Sequence, residues 1–297
     1  MRITNNMLTS TVIKNIVASY GRLENYQYQE STGKVFRRPS DNPVAVNQSL
    51  SYKVSLKEFD QFTGNIDAAL SWLDSTDTVL RDAVGLLQRA KTLSVSGANS
   101  TNGQSELDAI ADEVSQLIDN MVSVGNTQFA GRYIFGGFST TSAPFEAMDS
   151  PPTSVDYLGD DGSINYEIEK GVSTSINFNG EEVFKSPTDV FNVLIELRDH
   201  LLDGDYGAVS QDTSNVDDAL EMITGTLMKV GAKTNRLEMT QDRLEQSKLN
   251  LTELLSNVEE ADMAEVIVKL KTEETVYQAA LATGSTIMQK SLIDYLG

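Results

Sequence analysis

In the second half of the chain seven apolar residues, Val216, Ile223, Val230, Leu237, Leu244, Leu251 and Val258, stand seven positions apart. Beside them runs a row of mostly small residues: Ala219, Thr226, Lys233, Thr240, Ser247, Leu254 and Ala261. An apolar repeat of seven is the seam of a helix that curves or supercoils against a partner. Unbroken from 214 to 260, that helix is roughly 70 Å long at about 1.5 Å per residue. Gly225 and Gly231 weaken it locally without ending it.

A second seam lies upstream. Phe59, Ile66, Leu73, Leu80 and Leu87 form one row, and Phe62, Ala69, Thr76, Ala83 and Ala90 the other. The turn-forming stretch SVSGANSTNGQS (94–105) ends it. A third helix restarts at Ser105, with Asp108 three positions on as a capping box. It continues through Leu107, Ile110, Val114, Leu117, Met121 and Val124. Long helices joined by short turns pack antiparallel, and the seams are bundle core without chemistry of their own.

The two chain ends carry shorter apolar stripes. Ile13, Ile16, Val17, Tyr20 and Leu23 precede Gly33; Leu270, Tyr277, Leu281, Met288, Leu292 and Tyr295 follow helical spacing near the C-terminus. Neither stripe is long enough to bury itself alone. They pair with each other or wait for a partner.

Between the first stripe and the first seam stands RRPSDNPVAV (37–46). Gly33 suits a helix C-terminus. Pro39 biases Arg38 away from helix. Asn42 is a good N-cap and Pro43 belongs at the first helical position. Residues 34–42, Ser40 and Asp41 among them, therefore read as a helix–helix turn, or as a joint between a terminal rod and the main bundle.

From 139 to 185 the heptads vanish. Ile164, Tyr166 and Ile168 alternate, as do Ile176 and Phe178, between the turn pairs DDG, KG and NG, so short strands with tight turns are predicted. SPTD (186–189) restarts a helix with Ser186 as N-cap and Pro187 at the first helical position. Val190, Leu194, Leu197 and Leu201 carry it on.

Charge and composition exclude several classes. The formal net charge is −20. Residues 139–225 hold −15 of it, while residues 1–60 carry +3. A polyanion is not drawn to nucleic acid or to an acidic membrane. No window resembles a membrane span, and the polar start MRITNNMLTS does not resemble a cleaved secretory signal. There is no cysteine, hence no disulfide and no thiolate chemistry. With no cysteine and one histidine, His200, a zinc site is nearly excluded, and His200 reads as a surface helix residue. Asp156 to Gly162 lacks the spacing of a calcium loop and reads as a hairpin turn. FGGFSTTS (135–142) lacks the lysine and spacing of a phosphate loop. The sequons at Asn47, Asn99 and Asn250 are short motifs with a high chance rate. No catalytic, metal or cofactor-binding residue emerges.

Four blocks together resemble the flagellin superfamily, and within it the hook-associated proteins. They are MRITNNMLTSTVIKNI at the start, STGKVFRRPSDNPVAV (31–46), GNTQFAGRYIFGGFSTTSAPF (125–145), and VEEADMAEVIVKLKTEETVYQAALATGSTIMQKSLIDYL (258–296). The Arg-Pro-Ser-Asp joint, the YIFGG block and VFNVLIELRDHL are similar to hook-associated proteins rather than to bulk flagellins. The resemblance implies a mainly α fold: a long antiparallel helical bundle or coiled coil formed by both chain halves, with a small β-rich inserted outer domain. It implies a terminal region of 1–40 with 262–297, ordering only on assembly; a bundle core of 41–138 with 186–261; and an outer domain of 139–185. It further implies a structural protein at the hook–filament junction, extracellular and exported without a cleaved signal. Its partners would be other copies of itself, a neighbouring hook-associated protein on the hook side, flagellin or the next junction protein on the filament side, and a cytosolic export chaperone on the C-terminal stripe. Two other readings fit the residues: a flagellin as bulk filament subunit, and an intracellular coiled-coil adaptor or enzyme sharing only the heptads.

Overall fold

The computed structural model describes residues 5–296, with side chains from 7 to 286. Six α-helices carry it: α1 (Asn5–Thr32), α2 (Pro43–Gly97), α3 (Gln104–Gly125), α4 (Val190–Asp203), α5 (Tyr206–Glu259) and α6 (Met263–Leu296). Six short strands lie between α3 and α4: β1 (Gln128–Phe129), β2 (Arg132–Tyr133), β3 (Phe145–Met148), β4 (Ser154–Tyr157), β5 (Asn165–Glu169) and β6 (Val172–Ser175). They pair in sequence as three antiparallel hairpins. Packing divides the chain into two units: Met1–Glu58 with Gln246–Gly297, and Phe59–Glu245.

The inner unit, Phe59–Glu245, is built on the two seams. Ile66, Leu73, Leu80 and Leu87 of α2 are fully buried, as are Val216 and Ile223 of α5. Gln241 bonds Asp67 while Thr213 bonds Ser94, so the two helices run antiparallel. Arg89 of α2 pairs with Glu113 of α3. Small residues in the second row, Ala69, Ala83, Ala90 and Ala219, are buried as well, which lets the backbones approach. At the other end of α3 four phenylalanines, Phe135, Phe145, Phe184 and Phe191, stack edge-on or tilted with centroids 5.0–5.8 Å apart. This geometry favours ring edges against ring faces. Buried Arg198 of α4 donates to the Pro152 carbonyl at 2.6 Å, tying the β3–β4 hairpin to that helix.

Several local expectations are corrected. The α5 seam is buried only as far as Leu244; Leu251 and Val258 are half-buried and Leu254 is exposed. The capping box at Ser105 does not form. Gly103 holds the N-cap of α3 without a side-chain bond, and Gln104 donates instead to Asp108 and to the Leu202 carbonyl. Helix α4 starts later than SPTD suggests. Asp189, not Ser186, is its N-cap, accepting from the amides of Phe191 and Asn192, and Ser186 closes a single π-helical turn, Glu181–Lys185. A carboxylate there reaches two orphan amides at once. Ile176 and Phe178 are buried but lie beyond β6. The DDG stretch is not a hairpin turn. It connects β4 to β5, where Asp160 accepts from the amides of Phe138 and Gly162. His200 does lie on a helix with its side chain partly exposed, as expected, but it has a partner: its Nδ1 lies 2.7 Å from Oδ2 of buried Asp212.

Candidate assembly surface

The joint forms much as its residues dictate. Helix α1 ends at Thr32, and Gly33 follows at φ +69°, its amide donating to the Gln29 carbonyl. A left-handed φ there is open to glycine at little cost. Asp41 Oδ2 accepts from the amides of Arg37 at 3.0 Å and Arg38 at 2.8 Å, and the Asp41 amide returns a bond to the Arg38 carbonyl. Those amide bonds, Arg38 first, hold the Asp41 carboxyl below its ordinary value. Asn42 Oδ1 accepts from the Ala45 amide at 3.1 Å, and Pro43 opens α2. Arg37 reaches back to Glu24 and lies over the Tyr28 ring. Arg38, Pro39 and Ser40 are exposed.

Beside this turn sits an ionic cluster that the sequence did not announce. Glu259, at the end of α5, is 5% exposed. It receives Lys34 Nζ at 2.6 Å, Lys53 Nζ, and the Ser49 hydroxyl at 2.7 Å. Burial alone would raise its carboxyl. The bonds from Lys34, Lys53 and Ser49 outweigh burial and hold it at about 2. Backbone bonds from Val35 to the Glu259 carbonyl and from Ala261 to the Gly33 carbonyl run alongside. A groove of about 370 Å³ opens next to the cluster, lined by Thr32, Gly33, Leu255, Ser256 and Met263 among others. None of these four polar residues belongs to a periodic pattern, and nothing in a single sequence pairs position 49 with position 259.

The terminal stripes do meet. Helices α1 and α6 lie side by side and antiparallel: Ser19 and Arg22 bond Glu273, the rings of Tyr20 and Tyr277 are 5.8 Å apart, and Gly284 lies against Val12 and Ile16. The bonds from Arg22 and Ser19 lower the Glu273 carboxyl. Leu23 and Leu270 are buried between the helices. Ile16 and Tyr277 are half-buried, whereas Ile13, Tyr20 and Leu281 stay 45–56% exposed. The predicted positions Met288, Leu292 and Tyr295 lie outside the described side chains.

The two units contrast in how they treat apolar surface. Among the described residues, only Leu23, Val266 and Leu270 of the terminal unit are buried apolar side chains. The same unit exposes sixteen large ones, including Met7, Val17, Val44, Leu50, Val54 and Val268. In α2, Ser49 and Lys53 point inward to Glu259 while Leu50 and Val54 are 55% and 57% exposed. Polar groups inside and apolar groups outside is the inverse of a self-contained domain.

Among the described residues no three or more His, Asp or Glu side chains are grouped to hold a metal ion, and no helix is long and apolar enough to cross a membrane.

Comparison with known proteins agrees with this architecture. The sequence model of the bacterial flagellin N-terminal helical region matches residues 3–140, and that of the bacterial flagellin C-terminal helical region matches residues 213–296. Flagellar hook-associated protein 3 of Escherichia coli K12 is 24% identical over 305 aligned positions, covering 94% of this chain and 95% of that protein. The crystal structure of Bacillus cereus FlgL superposes with a TM-score of 0.60 at 27% identity, over 69% of this chain and 99% of the other. The flagellar junction protein FlgL of Legionella pneumophila shares the fold, with a TM-score of 0.60 at 15% identity over 73% and 100% of the two chains. Matched at both ends over well more than half its length, the chain belongs to the bacterial flagellin family.

Proposed function

We propose that this protein is a structural subunit of the bacterial flagellum that joins hook to filament, forming a layer on which flagellin polymerises. The observation that carries this reading is the terminal unit, which among its described residues exposes sixteen large apolar side chains and buries three. Such a surface is stable in water only at the cost of solubility, and gains its stabilisation when neighbouring subunits cover it. The likenesses to hook-associated protein 3 of Escherichia coli, at 24% identity, and to the FlgL structure of Bacillus cereus, at 27%, support this reading.

On this reading the work is assembly, not catalysis. Residues 1–40 and 262–297 form the terminal coiled-coil region, 41–138 with 186–261 the bundle core, and 139–185 the outer domain. The joint of Gly33 and Arg38 to Pro43 fixes how α1 gives way to α2. The stripe of Ile13, Ile16, Tyr20, Leu23, Leu270, Tyr277, Leu281, Met288, Leu292 and Tyr295 meets other copies, a hook-associated protein on the hook side and flagellin or the next junction protein on the filament side. Before export, an export chaperone covers its C-terminal part. The location is extracellular.

A second reading is a flagellin, favoured by the names of the two family regions. Immunogold electron microscopy of flagella with antibody against residues 139–185 separates the two. Label confined to the zone where hook meets filament is the expected result. Label along the whole filament makes the protein a flagellin, and label on no flagellum overturns both.

A further inference from the structure

We infer that His200 and Asp212 form a pH-operated clasp between α4 and α5, closed when the imidazole is protonated and loosened when it is not. His200 sits in the last turn of α4, where a positive charge meets the negative end of the helix dipole. Gly204 ends that helix at φ +68°, and α5 begins two residues later. Across this corner His200 Nδ1 and Asp212 Oδ2 are 2.7 Å apart. The Asp212 side chain is 3% exposed, and its only other side-chain bond is a long one, 3.4 Å, from the Asn215 amide.

Among the described residues no lysine or arginine pairs with this carboxylate, which leaves histidine as its cation. On α4, Glu196 lies one turn before His200, and Asp205 follows in the connection; both are acidic and add to the field of Asp212. Arg198 is engaged elsewhere, with Asp199 and with the Pro152 carbonyl of the β3–β4 hairpin. On α2, Lys91 is paired with Asp217 of α5. On α3, Asp108 is held by Gln104. Lys185 of the π-helical turn pairs with Asp189 at the opposite end of α4.

The direction of the pH effect follows. The hydrogen bond to Asp212 raises the His200 pKa above 6.5, against a smaller opposing effect of burial. A group with a raised folded pKa contributes stability that is fully present below its unfolded value. That contribution is lost as pH rises through the folded value. Above it the neutral ring can still donate from Nδ1, but a buried carboxylate is left without a counter-charge. Each unit by which the folded midpoint exceeds the unfolded one corresponds to about tenfold in the closed-to-open ratio.

His200 is the chain's only histidine, so NMR titration of the intact protein, made without a histidine tag, reads one imidazole. The expected midpoint lies above 6.5 in the native chain and falls back towards 6.5 in Asp212→Asn. Amide exchange of residues 200–213, corrected for its intrinsic pH dependence, should be slower below that midpoint than above it. The step should disappear in His200→Gln. A native midpoint at or below 6.5 overturns the clasp, whether or not either variant folds. So does a raised midpoint with equal corrected exchange on both sides of it, since the pair would then close nothing.

Discussion

The hydroxyl of Ser49 donates to Glu259 Oε2 at 2.7 Å although 210 positions separate the two residues. This bond, with those from Lys34 and Lys53, places a charged carboxylate inside the terminal unit while leucines and valines remain outside. Removing one partner of a buried ionic group usually costs about 3–5 kcal/mol. Both lysines are 41–47% exposed, so water relieves part of the loss, and Glu259→Gln should cost about 2 kcal/mol. Amide exchange of Val35 and Ala261 should then quicken about thirtyfold. The carboxyl is depressed from 4.5 to about 2, so its contribution is complete above pH 4.5 and drains away as pH falls towards 2. The native protein should show that acid-dependent quickening, and Glu259→Gln should lack it.

The contrast between the units makes two apolar truncations behave oppositely. Leu73 is fully buried in the inner unit, and Leu73→Ala should lower unfolding free energy by about 3–4 kcal/mol in urea titration. Val17 is 65% exposed on α1, and Val17→Ala should leave monomer stability within about 0.5 kcal/mol. Sedimentation of the assembled form should reverse the ranking. Val17→Ala impairs association, whereas Leu73→Ala associates normally once folded. Equal losses of monomer stability in the two variants would remove the argument that the terminal faces await partners.

Asp189 accepts two amides at the start of α4, at 3.0 and 3.1 Å. Asp189→Ala should therefore destabilise the inner unit by about 1 kcal/mol, while Ser186→Ala at the expected cap should be neutral. Thermal unfolding of the two variants is the check. A loss with Ser186→Ala alone would restore the reading in which the helix starts at Pro187.

That pair of residues shows where sequence reasoning holds and where it fails. Seams such as Ile66–Leu73–Leu80 are legible because each member repeats one local rule over many turns, and burial follows from periodicity alone. Asn42 and Gly33 are legible because capping chemistry acts within four residues. Ser186 misleads because it stands where two adjacent segments meet: it closes the π-helical turn of EEVFK instead of opening SPTD as a helix, and Phe184 of the one packs on Phe191 beyond the other. The Glu259 cluster and the His200–Asp212 pair are invisible for a different reason. Each is made by side chains brought together from separate elements, and no spacing in one chain encodes that meeting. The seam past Leu244 fails through environment: the same heptad continues, but Leu254 stays 48% exposed.

Deletion of residues 270–297 tests the division of labour most directly. It removes Leu270, Glu273, Tyr277 and Leu281, and with them the side-chain bonds that hold α6 to Ser19, Arg22 and Tyr20. Helix α1 then loses its partner and should lose helicity, because an isolated amphipathic helix is marginal in water. Among the described residues the inner unit holds all but three of the buried apolar side chains, and it keeps every one of them. Trp72, the only tryptophan, lies in that unit and is buried, so its fluorescence follows the inner core alone. The expected outcome is a tryptophan-detected urea midpoint unchanged from the native chain, far-UV helicity reduced by no more than α1 and the deleted residues, and no self-association. A lowered tryptophan midpoint would mean that the C-terminal helix supports the inner core. Retained self-association would mean that the exposed faces of α2 and α5, Leu50, Val54 and Leu249 among them, suffice for assembly without α6.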